Sequence, residues 1–552
     1  MRVAAGCLLA GAAILGAAHI ALLPPWEGFD EEAHYSSVQQ IAHRREVPER
    51  TTARISQVVV DYAGSAPMRY PVERRVIWPF TYRSFFEATD DVVARGRLAA
   101  HGAPPEARGY VPSARWNWES QHPPLYYAAL VPAYLLTSRK PLGTQLFVLR
   151  SVSYLFAWLA LLIGIGACAG TFPPRNGDTT DRNWSILGIA AWPVLFPGWF
   201  PEMARLGNDS LCALVAAAVW WMTRRTLREG PTLRRTAALG VVLALGWLCK
   251  ALFVPITAGL LAFWLARAWR HGGLRAVLAL APHVGVAGAV IAVIAGWWYV
   301  DRWHRYGATF GMNELVALQE RGGLVAGLHQ HFTIGALGRF LASFVSRFAW
   351  PGTWSLARPE YVSLVPLVLL VVVAAAAYLW VVRRSRVTEP EWLPVWLVAP
   401  LVLGFGQHML VRIALTGEGS GFGGYYLHLL VAPLGAALGF AISFCWRRKA
   451  TRALWIALSL YSVVFAIAMS WAQVLLFAGI LSRSDARFYA GPERWPALFG
   501  VPEALGRLAV IAFPAIGAVA WLVGGALALA GLLGAYRTAA ALPLDDARTV
   551  EN

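Results

Sequence analysis

Apolar runs long enough to cross a bilayer recur along most of this chain, and they restrict its fold more than any single motif does. In hydrocarbon a backbone has no water to bond with, so a lone spanning segment of about 20 residues closes its own hydrogen bonds as an α-helix. Apolar runs cover residues 1–23, 142–169, 184–200, 277–300, 362–382, 393–413, 425–445, 454–477 and 505–533, with a shorter one at 211–222. Residues 237–266 read as two short segments meeting near Lys250, because that places the arginines at both ends on one side. With 57% hydrophobic residues, the pattern predicts an all-α polytopic membrane protein of about 11 to 13 transmembrane helices. The run 125–136 is shorter than a span, and whether it crosses decides the side on which the link 172–183 lies.

The formal charge of +17 follows from this architecture and does not point to nucleic acid. Arg224-Arg225, Arg234-Arg235, Arg267, Arg270, Arg383-Arg384, Arg386 and Arg447 to Lys449 sit in short links between spans, the positive-inside pattern. A polybasic tail and an aromatic-interleaved basic patch are both missing. Cys7, Cys168, Cys212, Cys249 and Cys445 lie in or beside apolar runs without metal-ligand spacing, so they read as small buried side chains. No zinc signature occurs and His329-Gln-His331 lacks a third ligand, so no metal site is assigned, although a divalent ion is not excluded.

The expected organisation is a first helix or signal anchor at 1–23, an external loop at 24–122 and a transmembrane core at 123–300. A second external loop follows at 301–360, then a C-terminal transmembrane region at 361–536 and a cytoplasmic tail at 537–552. The N-terminal run also fits a cleavable signal peptide; the anchor reading keeps the following segment at the membrane. A helix lying along the interface is expected from Glu32 to Ala42.

That following segment, PPWEGFDEEAHYSSVQQIAHRREVP, concentrates Glu27, Asp30, Glu31, Glu32 and His34 in a chain that is only 14% charged. A carboxylate where a span leaves the bilayer can take a proton from an attacking hydroxyl or amine. Asp30 and Glu31 are the candidate catalytic residues; neighbours in a helix or turn point in different directions, so one of them faces a given substrate. The competing reading is a helix cap, with carboxylates at the positive end of the next helix. His34 either orients a carboxylate or makes a local bond at the interface. Glu119, Gln121 and His122 stand at the mouth of the next apolar run beside Trp116, Trp118, Tyr126 and Tyr127, which form an aromatic belt.

Asn208-Asp209 at a membrane edge suggests a substrate cavity and equally an N-cap. Lys250, Arg205, Arg302 and Arg305 are candidates to stabilise a leaving phosphate, or snorkelling cations. The turn TGEGSGFGGYY, which carries Tyr425 and Tyr426, lacks the spacing and the preceding strand of a nucleotide phosphate loop.

The ordered pieces FDEEAHYSSVQQIAHRREVP, ESQHPPLYYAALVP, LFVLRSVS, ARLGNDSL, LALGWLCKALFVP, GWWYVDRWHRYG and GGYYLHLLVAPLGAALG resemble landmarks of the multi-spanning C-class (GT-C) glycosyltransferases. The nearest groups are of the protein O-mannosyltransferase and aminoarabinose transferase type. The resemblance covers residues 5–440 and implies transfer of a sugar from a polyprenyl-phosphate donor to a glycan, lipid or protein acceptor, without a cofactor. It also implies a multi-pass bacterial inner membrane location with the site facing the periplasm or exterior. The family's acidic landmarks fall on Asp30-Glu31 and on Asp209, HPPLYY resembles the cavity edge, and Lys250 and Arg302 match donor-phosphate contacts. Two departures stand out: Asp301-Arg302 replaces a lone arginine, and Tyr425-Tyr426 replaces an arginine-tyrosine pair. A flippase or transporter of lipid-linked glycans, and a noncatalytic assembly subunit, are the rival readings; the first expects an inverted repeat, which the sequence does not display.

Overall fold

The computed structural model describes residues 1–68, 79–171, 180–307, 313–355, 361–384, 389–418, 423–446, 449–484, 487–489 and 491–540. Arg69, Arg74, Arg75, Trp78, Arg358, Arg386, Arg447, Asp485, residues 419–422 of the glycine-rich turn and the tail from residue 541 lie outside them.

The described chain is helical throughout apart from two small hairpins. The helices used below are α1 (Arg2–Leu22), α2 (Glu31–Arg44), α3 (Leu125–Thr137), α4 (Leu142–Thr171), α5 (Thr180–Leu195), α6 (Asp209–Glu229), α7 (Leu233–Trp247) and α8 (Phe253–Ala279). They continue with α9 (Ala281–Tyr306), α10 (Ile334–Ala349), α11 (Tyr361–Arg384), α12 (Leu393–Thr416), α13 (Val431–Trp446), α14 (Lys449–Phe477) and α15 (Pro514–Ala540).

Among the described residues, eight helices are long and apolar enough to cross a membrane: α1, α4, α9, α11, α12, α13 with the turn before it, α14 and α15. The helices α5, α6, α7 and α8 pack against these, α5 on α13, α6 on α4, α7 on α9 and α8 on α12. The break expected near Lys250 is present, with α7 ending at Trp247 and α8 starting at Phe253.

Close approach of the inner helices depends on glycine. A Cβ on Gly439 would lie 1.9 Å from the Trp184 carbonyl oxygen, so α13 meets α5 only because that side chain is absent. The outer pair α1 and α15 runs antiparallel, since the Phe513 N–H beside the start of α15 donates to the Ala21 carbonyl near the end of α1 at 2.9 Å.

Residues 24–68 and 79–124 cap one face of this bundle. The short helix α3 has both ends on that face: the Leu125 N–H donates to the Leu248 carbonyl at 3.1 Å, and the Ser138 carbonyl accepts from the Arg108 N–H at 3.0 Å. Two expectations are corrected. The helix α2 does not lie along the interface, because residues 31–40 are all buried beneath α3 and the hairpin of Arg54–Ser56 with Pro112–Trp116. The last span begins at Pro514, not at 505. Val501–Leu508 is a separate amphipathic helix that buries Ala504 and Leu508, and its Glu503 and Arg507 pair at 2.8 Å.

Candidate functional site

The acidic segment after α1 turns sharply, because Trp26 and Asp30 both adopt left-handed backbone, with φ of 66° and 61°. Aspartate tolerates that region better than most residues, and as N-cap of α2 it swings its side chain away from that of Glu31. The two neighbours therefore meet different partners.

Glu31 is consumed by structure. Arg150 grips it with two bonds, Nε to Oε1 at 2.8 Å and Nη2 to Oε2 at 2.6 Å, and the same guanidinium donates to the carbonyls of Leu23 and Pro24. The N–H groups of Gly28 and Leu206 complete the carboxylate's shell at 3.1 and 3.0 Å. Gly28 can be nothing larger, because a Cβ there would lie 2.5 Å from the Glu31 carboxyl carbon.

Asp30 remains open. Its Oδ1 accepts from the Trp118 indole N–H at 2.7 Å, and Oδ2 has no partner among the described residues. Burial and the nearby negative charge of Glu119 push its pKa up to about 7, against the pull of Arg205 and the Trp118 bond. The Arg205 guanidinium is one residue away, donating to the Phe29 carbonyl at 2.7 Å.

Behind Asp30 lies an ion chain from the loop after α5 to the break between α7 and α8. Arg205 Nη2 bonds Glu202 at 2.6 Å and Asp209 Oδ2 at 3.2 Å. Asp209 Oδ1 accepts from Lys250 Nζ at 2.7 Å, and Asn208 Oδ1 accepts from the same ammonium at 3.2 Å. Lys250 Nζ also stands 4.3 Å from the centre of the Tyr426 ring, which is packed against Tyr425. All of these charged groups are at most 7% exposed, and charges so buried persist only when paired.

On the other side, Glu119 pairs with His122 at 2.8 Å and stands 3.9 Å from His34. Burial opposes its ionisation, but the charge and hydrogen bond of His122 prevail and hold it down at about 2. Burial lowers His34 to about 3, so the ring is neutral, with Nδ1 at 3.1 Å from the Tyr127 hydroxyl.

Asp30, His34, Glu119, His122, Asn208, Asp209, Lys250, Tyr425 and Tyr426 thus share one neighbourhood at the head of the bundle. Arg302 and Arg305 do not join it. Arg302 stacks on Trp298 at 4.0 Å and reaches Tyr306, while Arg305 pairs with Asp301 at 2.7 Å and Glu49 at 3.1 Å. Sequence reasoning missed the parts played by Trp118, Tyr127, Arg150 and Glu202. Arg150 carried a usable signal, as a lone charge inside an apolar run; Glu202 carried none. No group of His, Cys, Asp and Glu among the described residues has the arrangement of a metal site.

No family model matches the chain, and no curated protein matches it. Among solved structures it is similar to ArnT from Cupriavidus metallidurans bound to undecaprenyl phosphate, at 15% identity and TM-score 0.39, covering 88% of this chain and 77% of that one. The apo state of ArnT aligns at 14% identity and TM-score 0.41, over 87% of this chain and 76% of that one. The Archaeoglobus fulgidus oligosaccharyltransferase in complex with Zn and sulfate aligns at 16% identity and TM-score 0.41, over 85% of this chain. This chain spans about half of that protein, 52% of its length.

Proposed function

We propose that this chain is a membrane glycosyltransferase that moves a sugar from a polyprenyl-phosphate donor to an acceptor at the face carrying Asp30, with inversion at the anomeric carbon. One observation carries the reading: the Asp30 carboxylate has one oxygen fixed by Trp118, the other unengaged, and a pKa near neutral beside a buried chain of paired ions. A base with that acidity is matched to abstraction near pH 7. The donor class rests on the ordered sequence landmarks.

In this reading the acceptor hydroxyl bonds to Asp30 Oδ2. Its oxygen attacks the anomeric carbon as its proton passes to Asp30, and the bond from that carbon to the phosphate oxygen breaks with its electron pair on the phosphate. In this proposal Lys250 meets the growing phosphate charge, a role supported by its hold on Asp209 and Asn208 and its position over the Tyr426 ring. The proton then passes from Asp30 to solvent. The leaving group is already a good one, so alignment and charge stabilisation are the main contributions. Residence in the bacterial inner membrane, with this face outward, belongs to the same proposal.

The test is mass analysis of lipid-linked sugars and surface glycans in cells carrying wild type, a deletion or Asp30→Asn at matched protein level. Accumulation of one polyprenyl-phosphate sugar with loss of one glycan modification, in both deletion and variant, is the expected result. A deletion phenotype with a fully normal variant removes Asp30 from the mechanism. Transport of a lipid-linked glycan without sugar transfer overturns the reading altogether.

A further inference from the structure

Away from the Asp30 cluster, a cavity of about 310 Å³ runs between α1, α5, α14 and α15. Its walls are almost wholly hydrocarbon, with Leu15, Leu22, Val463, Ile467, Trp521 and Leu529 among them. On α14 the lining extends from Val463 to Phe477, a rise of about 21 Å. The space is therefore long and narrow. Ile467, Leu522 and Leu529 on its outer side are 45%, 66% and 42% exposed, so the slot opens sideways onto what a membrane fills with lipid.

Polar side chains interrupt this lining at His19, Ser470 and Gln473. The Nε2 atoms of His19 and Gln473 are buried without a hydrogen-bond partner among the described residues, and Gln473 is only 4% exposed. Native interiors rarely leave such atoms unpaired. Gln473 lies about one turn from the loop-side end of α14 at Phe477, and His19 about one turn from that of α1 at Leu22. Both of these groups therefore sit just inside the edge of the hydrocarbon, and apart from Ser470, about one turn deeper on α14, the deeper lining is aliphatic and aromatic.

We propose that this slot binds one acyl chain of a glycerolipid from the leaflet on the loop side, with the chain lying along α14 and its ester carbonyl accepting from Gln473 Nε2. An apolar cavity of this kind stays dry and takes an apolar guest. A polyprenyl phosphate would bring a charged phosphate to this depth, where burying an unpaired charge is costly; the neutral ester carbonyl of an acyl lipid fits the amide there. The proposal rests on the fold and not on the role of Asp30.

The full-length protein in phosphatidylcholine nanodiscs is photolabelled with a trace of phosphatidylcholine carrying a diazirine in one ester-linked chain. Label concentrated on residues 463–477 and 521–529, above that on lipid-facing α11, is expected. Gly525 lines the slot and a Cβ there meets nothing within 4 Å, so Gly525→Phe fills the slot and should abolish labelling there while sparing α11. Gln473→Leu, or an ether-linked probe on wild type, should lower it by about two- to tenfold, the worth of one net hydrogen bond. Labelling no richer than on α11, or unchanged in folded Gly525→Phe, overturns the site. Equal labelling by ester and ether probes overturns the carbonyl assignment and needs no variant to fold.

Discussion

The Trp118 indole N–H donates to Asp30 Oδ1 across 2.7 Å, joining the short turn before α3 to the N-cap of α2. It is the one side-chain bond to Asp30 among the described residues, so it fixes one carboxylate oxygen and leaves the other to meet a substrate.

Replacing Asp30 by Asn keeps the shape and the Trp118 bond while removing the base. Transfer should fall by about 10² to 10⁴, the typical worth of general-base catalysis. Thermal stability in detergent should stay level or rise, because a buried negative charge is lost. A turnover assay paired with a melting curve checks both.

Activity should climb with pH and level off above about 7, where Asp30 is ionised. Trp118→Phe removes a bond that favours the ionised form, so the ascending limb should move to higher pH. Stability has the opposite sign. Asp30 is protonated more readily in the folded chain than in the unfolded one, so its contribution is full at acid pH and fades as pH rises through about 7. A pH profile of rate set beside one of melting temperature should show the two running in opposite directions.

Glu31→Gln or Arg150→Met should each cost about 3 to 5 kcal/mol, because either leaves a buried charge without its partner. The double variant should lose much less than the sum. A double-mutant cycle on melting temperature measures it, and full additivity would rule out the pairing.

Lys250→Met should weaken donor use more than acceptor use, seen as a raised KM for the lipid-linked sugar. Asp209 keeps Arg205 as a partner in that variant, so the fold should survive. Arg305→Ala, on a residue paired at the surface with Asp301 and Glu49, should leave both constants nearly unchanged.

How far the sequence was legible differs from one residue to the next. The interruption at Lys250 could be read because two apolar runs with arginines at their far ends can turn back only there. The acidic segment stood out because carboxylates are scarce in this chain. Asp30 and Glu31 could not be told apart, since they are adjacent and chemically alike. What separates them is the left-handed backbone at Asp30 and a partner for Glu31 that lies 119 residues away. Glu202 went unnoticed because its value comes only from Arg205 turning toward it.

The sequence by itself determined the helical membrane class, the positions of most helices and the loop in which the acidic groups collect. These depend on local hydrophobicity and on where proline, glycine and charge interrupt it, and such forces act within one segment. Tertiary structure alone decided that α2 is buried, that α3 stays on the face where it begins, that Glu31 is locked while Asp30 stays open, and that Arg302 stands outside the cluster. Each of these depends on which distant helix supplies the neighbour. A buried charge keeps only the partner that packing brings within about 3 Å.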